Sequence, residues 1–488
     1  MGHRDPRHRC FVLAVPAAVI LSLLVLTQPA GAATVAGDPP DEPGEEPADD
    51  TLLSPADEDG VSVAPVGEPS DVVEEPTDGE PRGLVGLNDV ETTGAVAWTI
   101  LTLLSLAATW ILATRLARML YVWRSPVSIH ASGFGSVASA PVTSFSLVVP
   151  AGAGDPSDSR LRATLKRLTE LDHPDYETIV VVDQRDTASR EVALDLATRH
   201  PDLLRVVSTH GRSRAARLNA ALAECTNEVI GVFQPGDDVH PKLLEHVDSS
   251  ISEQGADAVQ GGLQLVARSR KWFRLHCIVD RYFWYRSRLH FHAWQRFTPL
   301  DVSTAFVRAD VLRRSGGWDE ECADEGCDLG VRLSVEGVAI VVAYDHELAT
   351  RRPAPRRVRA LMRLETQRIR GFLQALRRGA WRRLPTRRQR LLARATLARP
   401  LLDPFTSVAV TTALVAVVAI GVSPPIAALA LLPAIPALML LAVEVAGLGE
   451  LQSLHWERRY PRDVCVFVIS VVPYQLLVAA SALIAIVI

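Results

Sequence analysis

Residues Leu171–Gln184 read LDHPDYETIVVVDQ, and Gly231–Leu244 read GVFQPGDDVHPKLL. Each is a short β-branched run that ends in a polar, acidic turn. Glu177–Val182 is too short for a helix and rich in Ile and Val, which predicts a buried strand. Ser144–Val149, Leu204–Ser208, Glu228–Phe233 and Asp257–Val266 have the same character. Helix signals fill the gaps: Ser157–Leu171, Thr187–His200, Arg214–Cys225 and Pro241–Ser250. Strands that alternate with helices of about 10–15 residues predict a mainly parallel α/β sheet over 144–350.

In such sheets ligands bind outside the carboxyl ends of the strands. Pro150-Ala151 follows the first strand, Asp183-Gln184 the second, and Gln234-Pro235-Gly236-Asp237-Asp238 the fourth. A carboxylate at a strand end can accept from a nucleobase or ribose, or hold a divalent metal on a diphosphate. Any one of these acids alone reads equally well as a turn or helix-cap residue. Acids at two strand ends of one domain favour a nucleotide site.

Five motifs, in order, resemble those of the membrane-bound family 2 glycosyltransferases, the group of cellulose, chitin, hyaluronan and poly-N-acetylglucosamine synthases. They are SLVVPAGAG, LDHPDYETIVVVDQ, RAARLNAAL, GVFQPGDDVHPKLL and FVRADVLRRSGGWDEECADEGCDLGVRLS. The resemblance covers about 140–375 and implies a GT-A domain inserted between transmembrane helices. It further implies a nucleotide-sugar donor, bound at Pro150, Ala151, Asp183, Arg214 and Asn219. Mg²⁺ or Mn²⁺ would sit at Asp237 and Asp238. Inverting transfer by a carboxylate base would fall to Asp324, Glu325 or Asp328, in synthesis of a cell-envelope or extracellular polysaccharide.

The sequence departs from that pattern at its chemical positions. Gln184 replaces the second acid of an Asp pair, and Gln234 and Gly236 replace acids of the metal motif. Gly326 stands where the family's base Asp falls. The family's Q-x-x-R-W segment aligns with Leu364-Glu365-Thr366-Gln367-Arg368, so its Gln, Arg and Trp are all absent. These departures leave two readings. One is an active transferase whose neighbouring acids serve instead. The other is a cofactor-free pseudo-enzyme, a scaffold or nucleotide-sugar sensor for a partner synthase.

Around the domain the chain is built for a membrane. Its net charge of −5 and mean hydropathy of +0.14 hide opposed blocks. Residues 38–91 hold eighteen Asp/Glu and one Arg; residues 351–399 hold seventeen Arg and one Glu. Arg4, Arg7 and Arg9 precede an apolar run and Ala30-Gly31-Ala32, so residues 1–33 read as a signal peptide or signal anchor. Residues 34–92 are acidic and Pro-rich, an expected disordered extracytoplasmic linker. Spans are expected at 94–114, 404–423, 426–443 and 464–488. Arg115, Arg118 and Arg124 follow the first span, which places the domain of 125–350 in the cytoplasm of a multi-pass plasma-membrane protein. Residues 351–400 interleave Arg with Leu and Phe, a pattern for interfacial helices on anionic lipid rather than nucleic acid. The six cysteines form no C-x-x-C pair, and Cys322 and Cys327 read as buried thiols before they read as a metal clip.

Overall fold

The structure, a computed structural model, describes residues 87–124, 142–152, 158–211, 213–267, 271–420, 424–455 and 461–487. The signal reading, the linker up to residue 86 and the domain's first residues, 125–141, lie outside these. The chain divides into two units. Of Ala17–Trp98 only the start of the first helix is described. The unit from Thr99 onward holds the α/β domain and the helices beside it.

Helix α1 (Leu87–Arg124) leads to strand β1 (Phe145–Ala151), then α2 (Asp158–Leu168), β2 (Tyr176–Asp183), α3 (Thr187–Arg199), β3 (Leu204–Thr209), α4 (Arg214–Glu224), β4 (Val229–Val232) and α5 (Leu243–Ser252). These elements follow the alternation in the sequence closely. β1 pairs in parallel with β2 and β4, and β2 with β3. Val180, Val181 and Val182 are fully buried because helices cover both faces, which is why β2 is apolar without a break.

The predicted strand Asp257–Val266 is two strands in two sheets. β5 (Ala258–Gly261) stays in the main sheet, while β6 (Leu263–Val266) leaves it. The break falls at Gly262, where an added Cβ would stand 2.8 Å from the Tyr344 ring. Only a residue without a side chain lets the chain pass there. Next come α6 (Trp272–Phe283), a π-helical turn (Trp284–Arg288) and α7 (Leu289–Trp294). Then β7 (Ala305–Arg308), α8 (Ala309–Arg314), α9 (Glu325–Val335), β8 (Ile340–Ala343) and β9 (Thr350–Pro353) close the domain.

The seven-stranded sheet runs β3-β2-β1-β4-β7-β5-β8, antiparallel only where β7 meets β4 and β5. The order reverses between β1 and β4. The carboxyl ends of those two strands therefore flank the crevice of an open α/β sheet. β9 pairs with β6 in a second, two-stranded sheet and borders that crevice.

Helical segments follow the α/β domain in the chain. Helix α10 (Val358–Arg378) is followed by a 3₁₀ turn (Ala380–Arg383) and α11 (Arg387–Ile420). The stretch 351–400 thus comprises most of β9, the amphipathic α10, the 3₁₀ turn and the start of α11. Among the described residues, three helices are long and apolar enough to cross a membrane: Trp98–Tyr121, Arg387–Ala419 and Ala434–Ser453. The expected span 426–443 splits differently. α12 (Pro424–Leu431) ends before Pro433, and α13 (Ala434–His455) carries the apolar run. Pro433 lacks an amide hydrogen and disfavours helix in the residue before it. α14 (Pro461–Ile469) and α15 (Val471–Val487) bend by 49° and make a fourth span if taken together.

Candidate active site

Each acid expected at the site has a definite position. Asp183 ends β2, 9% exposed, and its Oδ1 accepts the Arg185 amide at 3.0 Å. Pro150 and Ala151 end β1, and Gly152 after them faces the Arg217 guanidinium so closely that a Cβ would lie 2.8 Å from Nη1. Arg217 was not expected here; nothing in its spacing on α4 marks it.

Asn219, expected at the donor site, bonds to the turn after α8. Its Oδ1 accepts the Trp318 amide at 2.9 Å, and its Nδ2 donates to the Trp318 carbonyl at 2.8 Å. It pins the Gly316-Gly317 turn that leads to the acidic loop 319–324. Arg214, at the start of the same helix, reaches across to Glu325 in an ion pair. The Glu325 side chain is 3% exposed and the Arg214 side chain 30%.

Asp237 and Asp238, the expected metal acids, are each engaged by an arginine. Asp237 is held bidentately by Arg352, Nε to Oδ1 at 2.6 Å and Nη2 to Oδ2 at 2.8 Å. Its Oδ2 also accepts the Gln234 amide at 2.8 Å. Asp238 turns outward to Arg167 at 2.9 Å. The physical reason is β9. It lays Arg351 and Arg352 along the loop after β4, and Arg352 neutralises the buried acid.

The acidic triplet is positioned by α9. Asp324 caps that helix, its Oδ1 accepting the Cys327 amide at 3.0 Å. Gly326 packs against the chain at 300–302, where a Cβ would stand 2.4 Å from the Val302 amide nitrogen. No side chain fits at the position of the family's base. Asp328 lies one turn further, bonded to Arg332 at 2.8 Å and Arg378 at 3.3 Å. Cys322 and Cys327 are buried free thiols.

No motif in the sequence pointed to Asp301. It precedes β7 and bonds Arg281 at 2.9 Å. Burial alone would raise its carboxyl, but Arg281 and Arg352 outweigh that and hold it below the usual range. Asp324 behaves in the opposite way. Burial first, then the charges of Asp301 and Glu325, push its carboxyl up to about 7, against the Cys327 amide and Arg214. Glu325, Asp301 and Asp237 each pair with an arginine, whereas the Asp324 side chain, among the described residues, makes only its helix-cap bond. The site therefore holds one carboxylate with proton affinity suited to acid–base work near neutral pH.

Helix α10 sets that carboxylate in place. Gln374 Oε1 accepts the Ala323 amide at 2.8 Å and Gln367 Nε2 donates to the Ala323 carbonyl at 3.2 Å. Arg368, at the family's Trp position, lies over the Trp284 ring at 5.0 Å and pairs with Asp280 at 3.5 Å. It seats α10 against the π-helical turn rather than presenting an aromatic face.

Residues 141–372 match the family model described as Glycosyltransferase like family 2. These residues are a glycosyltransferase-like family 2 domain. The probable glycosyltransferase YdaM of Bacillus subtilis is 22% identical over 185 residues, 36% of this chain and 43% of its own. A beta-monoglucosyldiacylglycerol synthase of a Nostoc species is 27% identical over 180 residues, 35% of this chain and 37% of its own. The chain thus spans about two-fifths of the length of the curated relatives it matches. Among solved structures, the mannosyltransferase PcManGT of Pyrobaculum calidifontis, in complex with GDP-Man and Mn²⁺, aligns over 79% of this chain and 99% of its own. The TM-score is 0.52 at 19% identity, a likeness of fold. The family 2 domain is a mixed α/β fold of the GT-A type, flanked by helices able to span a membrane.

Proposed function

We propose that the chain is an inverting glycosyltransferase that moves a sugar from a nucleotide-sugar donor to an acceptor hydroxyl at the membrane surface, in building the cell envelope. The observation that carries this reading is Asp324. Unlike Asp237, Asp301 and Glu325, it pairs with no arginine among the described residues, and its proton affinity near 7 suits a general base. The donor would lie in the crevice between β1 and β4, near Pro150, Ala151, Asp183, Arg214 and Arg217. Arg214 at the start of α4 would face the diphosphate, which suits a guanidinium's paired donors. The acceptor hydroxyl would give its proton to Asp324 as its oxygen attacks the anomeric carbon and the nucleoside diphosphate leaves. Relatives named as glucosyldiacylglycerol synthases support a lipid or envelope-glycan acceptor. The arginines after the first span support a cytoplasmic domain, and those of α10 and the following turn support contact with anionic lipid.

A panel of radiolabelled nucleotide sugars, offered to the purified chain in nanodiscs with native membrane lipid, tests this. Turnover with one donor that is lost in Asp324→Asn supports it. A folded protein that turns over no donor sinks it. One observation favours the second reading, a scaffold or sensor for a partner synthase: Gly326 leaves no room for the family's base. On that reading Asp324→Asn leaves the cellular phenotype intact.

A further inference from the structure

We infer that the domain holds the diphosphate of its donor without a divalent cation, and that the Arg352 guanidinium takes the place beside Asp237 that a cation would need. This rests on the donor-binding reading above and concerns how that site neutralises charge.

The donor set at the end of β4 does not fit a metal. Gln234 and Gly236 bring no carboxylate. Asp237 is the acid nearest in sequence, and its side chain has no exposure. Both of its oxygens are engaged: Oδ1 by Arg352 Nε, Oδ2 by Arg352 Nη2 and the Gln234 amide. A cation would have to break a buried, bidentate, charge-assisted pair, among the strongest hydrogen-bonded contacts a protein makes. It would also have to open the turn that Oδ2 closes.

A shift of the loop, which would bring Asp238 inward, is blocked on three sides. Thr164 of α2 accepts the Gly236 amide at 2.9 Å and donates to the Asp237 carbonyl at 2.8 Å. Arg351 of β9 exchanges backbone bonds with Asp238 at 2.8 and 2.9 Å. The Asp238 carboxylate is tied to Arg167 on the outer side. Gly236 itself sits at φ 102°, which only glycine adopts without strain.

Positive charge is supplied by the chain itself. Arg352, Arg281 and Arg214 are 19%, 22% and 30% exposed, so each is fixed by its acid yet reaches solvent. Arg214 meets Glu325 through Nε, and Arg281 meets Asp301 through Nη1. Among the described residues, their remaining N–H groups are left to bind phosphate oxygens.

The test is calorimetric titration of the full chain in nanodiscs with uridine and guanosine diphosphates, in EDTA and then in Mn²⁺. Uridine and guanosine serve as controls. The diphosphate that binds should do so in EDTA, with an affinity that Mn²⁺ changes less than about 3-fold, under 1 kcal/mol. In Arg352→Gln its affinity should fall about tenfold or more in both buffers while the parent nucleoside binds as before. Diphosphate binding that Mn²⁺ tightens by about tenfold or more overturns the inference and leaves the donor-binding reading standing. Failure of both diphosphates to bind in either buffer overturns the donor-binding reading, and this inference with it. The EDTA and Mn²⁺ comparison on the unmutated chain decides the matter even if Arg352→Gln does not fold.

Discussion

Gly371 of α10 lies so close to Asp324 that a Cβ at position 371 would stand 2.1 Å from the Asp324 Cβ. The contact joins the amphipathic helix to the proposed base with no side chain between them. Gly371→Ala should therefore push the acidic loop off α10. Overpacking of this kind costs about 1–3 kcal/mol, and a shift near 1 Å at the base is enough to lose about 10²-fold in turnover. Thermal unfolding in detergent and initial rates with the identified donor check both figures. Gln374→Ala, which removes the bond to the Ala323 amide without crowding, should lower the rate with a smaller loss of stability.

Asp324 makes the protein's pH response predictable. Its carboxyl titrates near 7 in the folded chain against an ordinary value of 3.8. A base works only when deprotonated, so kcat/KM should rise through pH 7 and level off above it. The same shift bears on stability with the opposite sign. The folded state binds this proton more tightly than the unfolded chain. The stabilisation is full below pH 3.8 and is lost as pH rises through about 7. Unfolding temperatures recorded from pH 5 to 9 should fall less steeply in Asp324→Asn than in the unmutated chain. Its activity should drop about 10²–10⁴-fold.

Gly326 distinguishes a missing acid from a rebuilt site. Restoring the family's residue with Gly326→Asp would drive a side chain into the Val302 amide, 2.4 Å from the new Cβ, and into the Leu300 carbonyl at 3.0 Å. We predict a destabilised protein with no gain in turnover, by at least the 1–3 kcal/mol of an overpacked core. A folded Gly326→Asp with raised activity would show that the loop can open and that Asp324 is not the base.

The first strands and the helices between them were legible because β-branched runs and helical stretches alternate at the right lengths from Ser144 to Ser250, but the strand order that sets the switch point was not. The break at Gly262 was not, since Leu263–Val266 is as apolar as Ala258–Gly261 and only the Tyr344 ring shows why the chain must turn. Asp324 and Glu325 could be named from the motif order. That Glu325 pairs with an arginine could not, because its partner Arg214 lies 111 residues away in the chain. Asp301, Arg281 and Arg352 carry no local signal at all. They matter through pairings between distant segments, and a reading of periodicity and spacing has no access to these. The bonds of Asn219 to Trp318, 99 residues away, were equally out of reach.

Buried charge also joins the long apolar helix α1 to α11 and α13. Arg115 of α1 donates to Glu444 of α13 at 2.7 Å and stands 4.0 Å from Asp403 of α11, which Arg399 holds at 3.0 Å. The side chains of Arg115 and Glu444 are 14% and 17% exposed, inside apolar helices where a lone charge is poorly solvated. Glu444→Gln leaves Arg115 with the distant Asp403 alone. It should cost about 1–3 kcal/mol, less than the 3–5 of a fully buried pair because some solvent reaches both groups. Arg115→Met alone strands Glu444 and should cost a similar amount. The double variant Arg115→Met, Glu444→Met leaves neither charge unpaired and replaces both with apolar groups of similar length. It should recover at least half of the summed loss, since removing both partners of such a pair is often close to neutral. Unfolding of the four proteins in one detergent, read as a double-mutant cycle, measures the coupling. Single losses that add in the double variant would mean that the spans are held by packing and that the ion pair contributes nothing to their association.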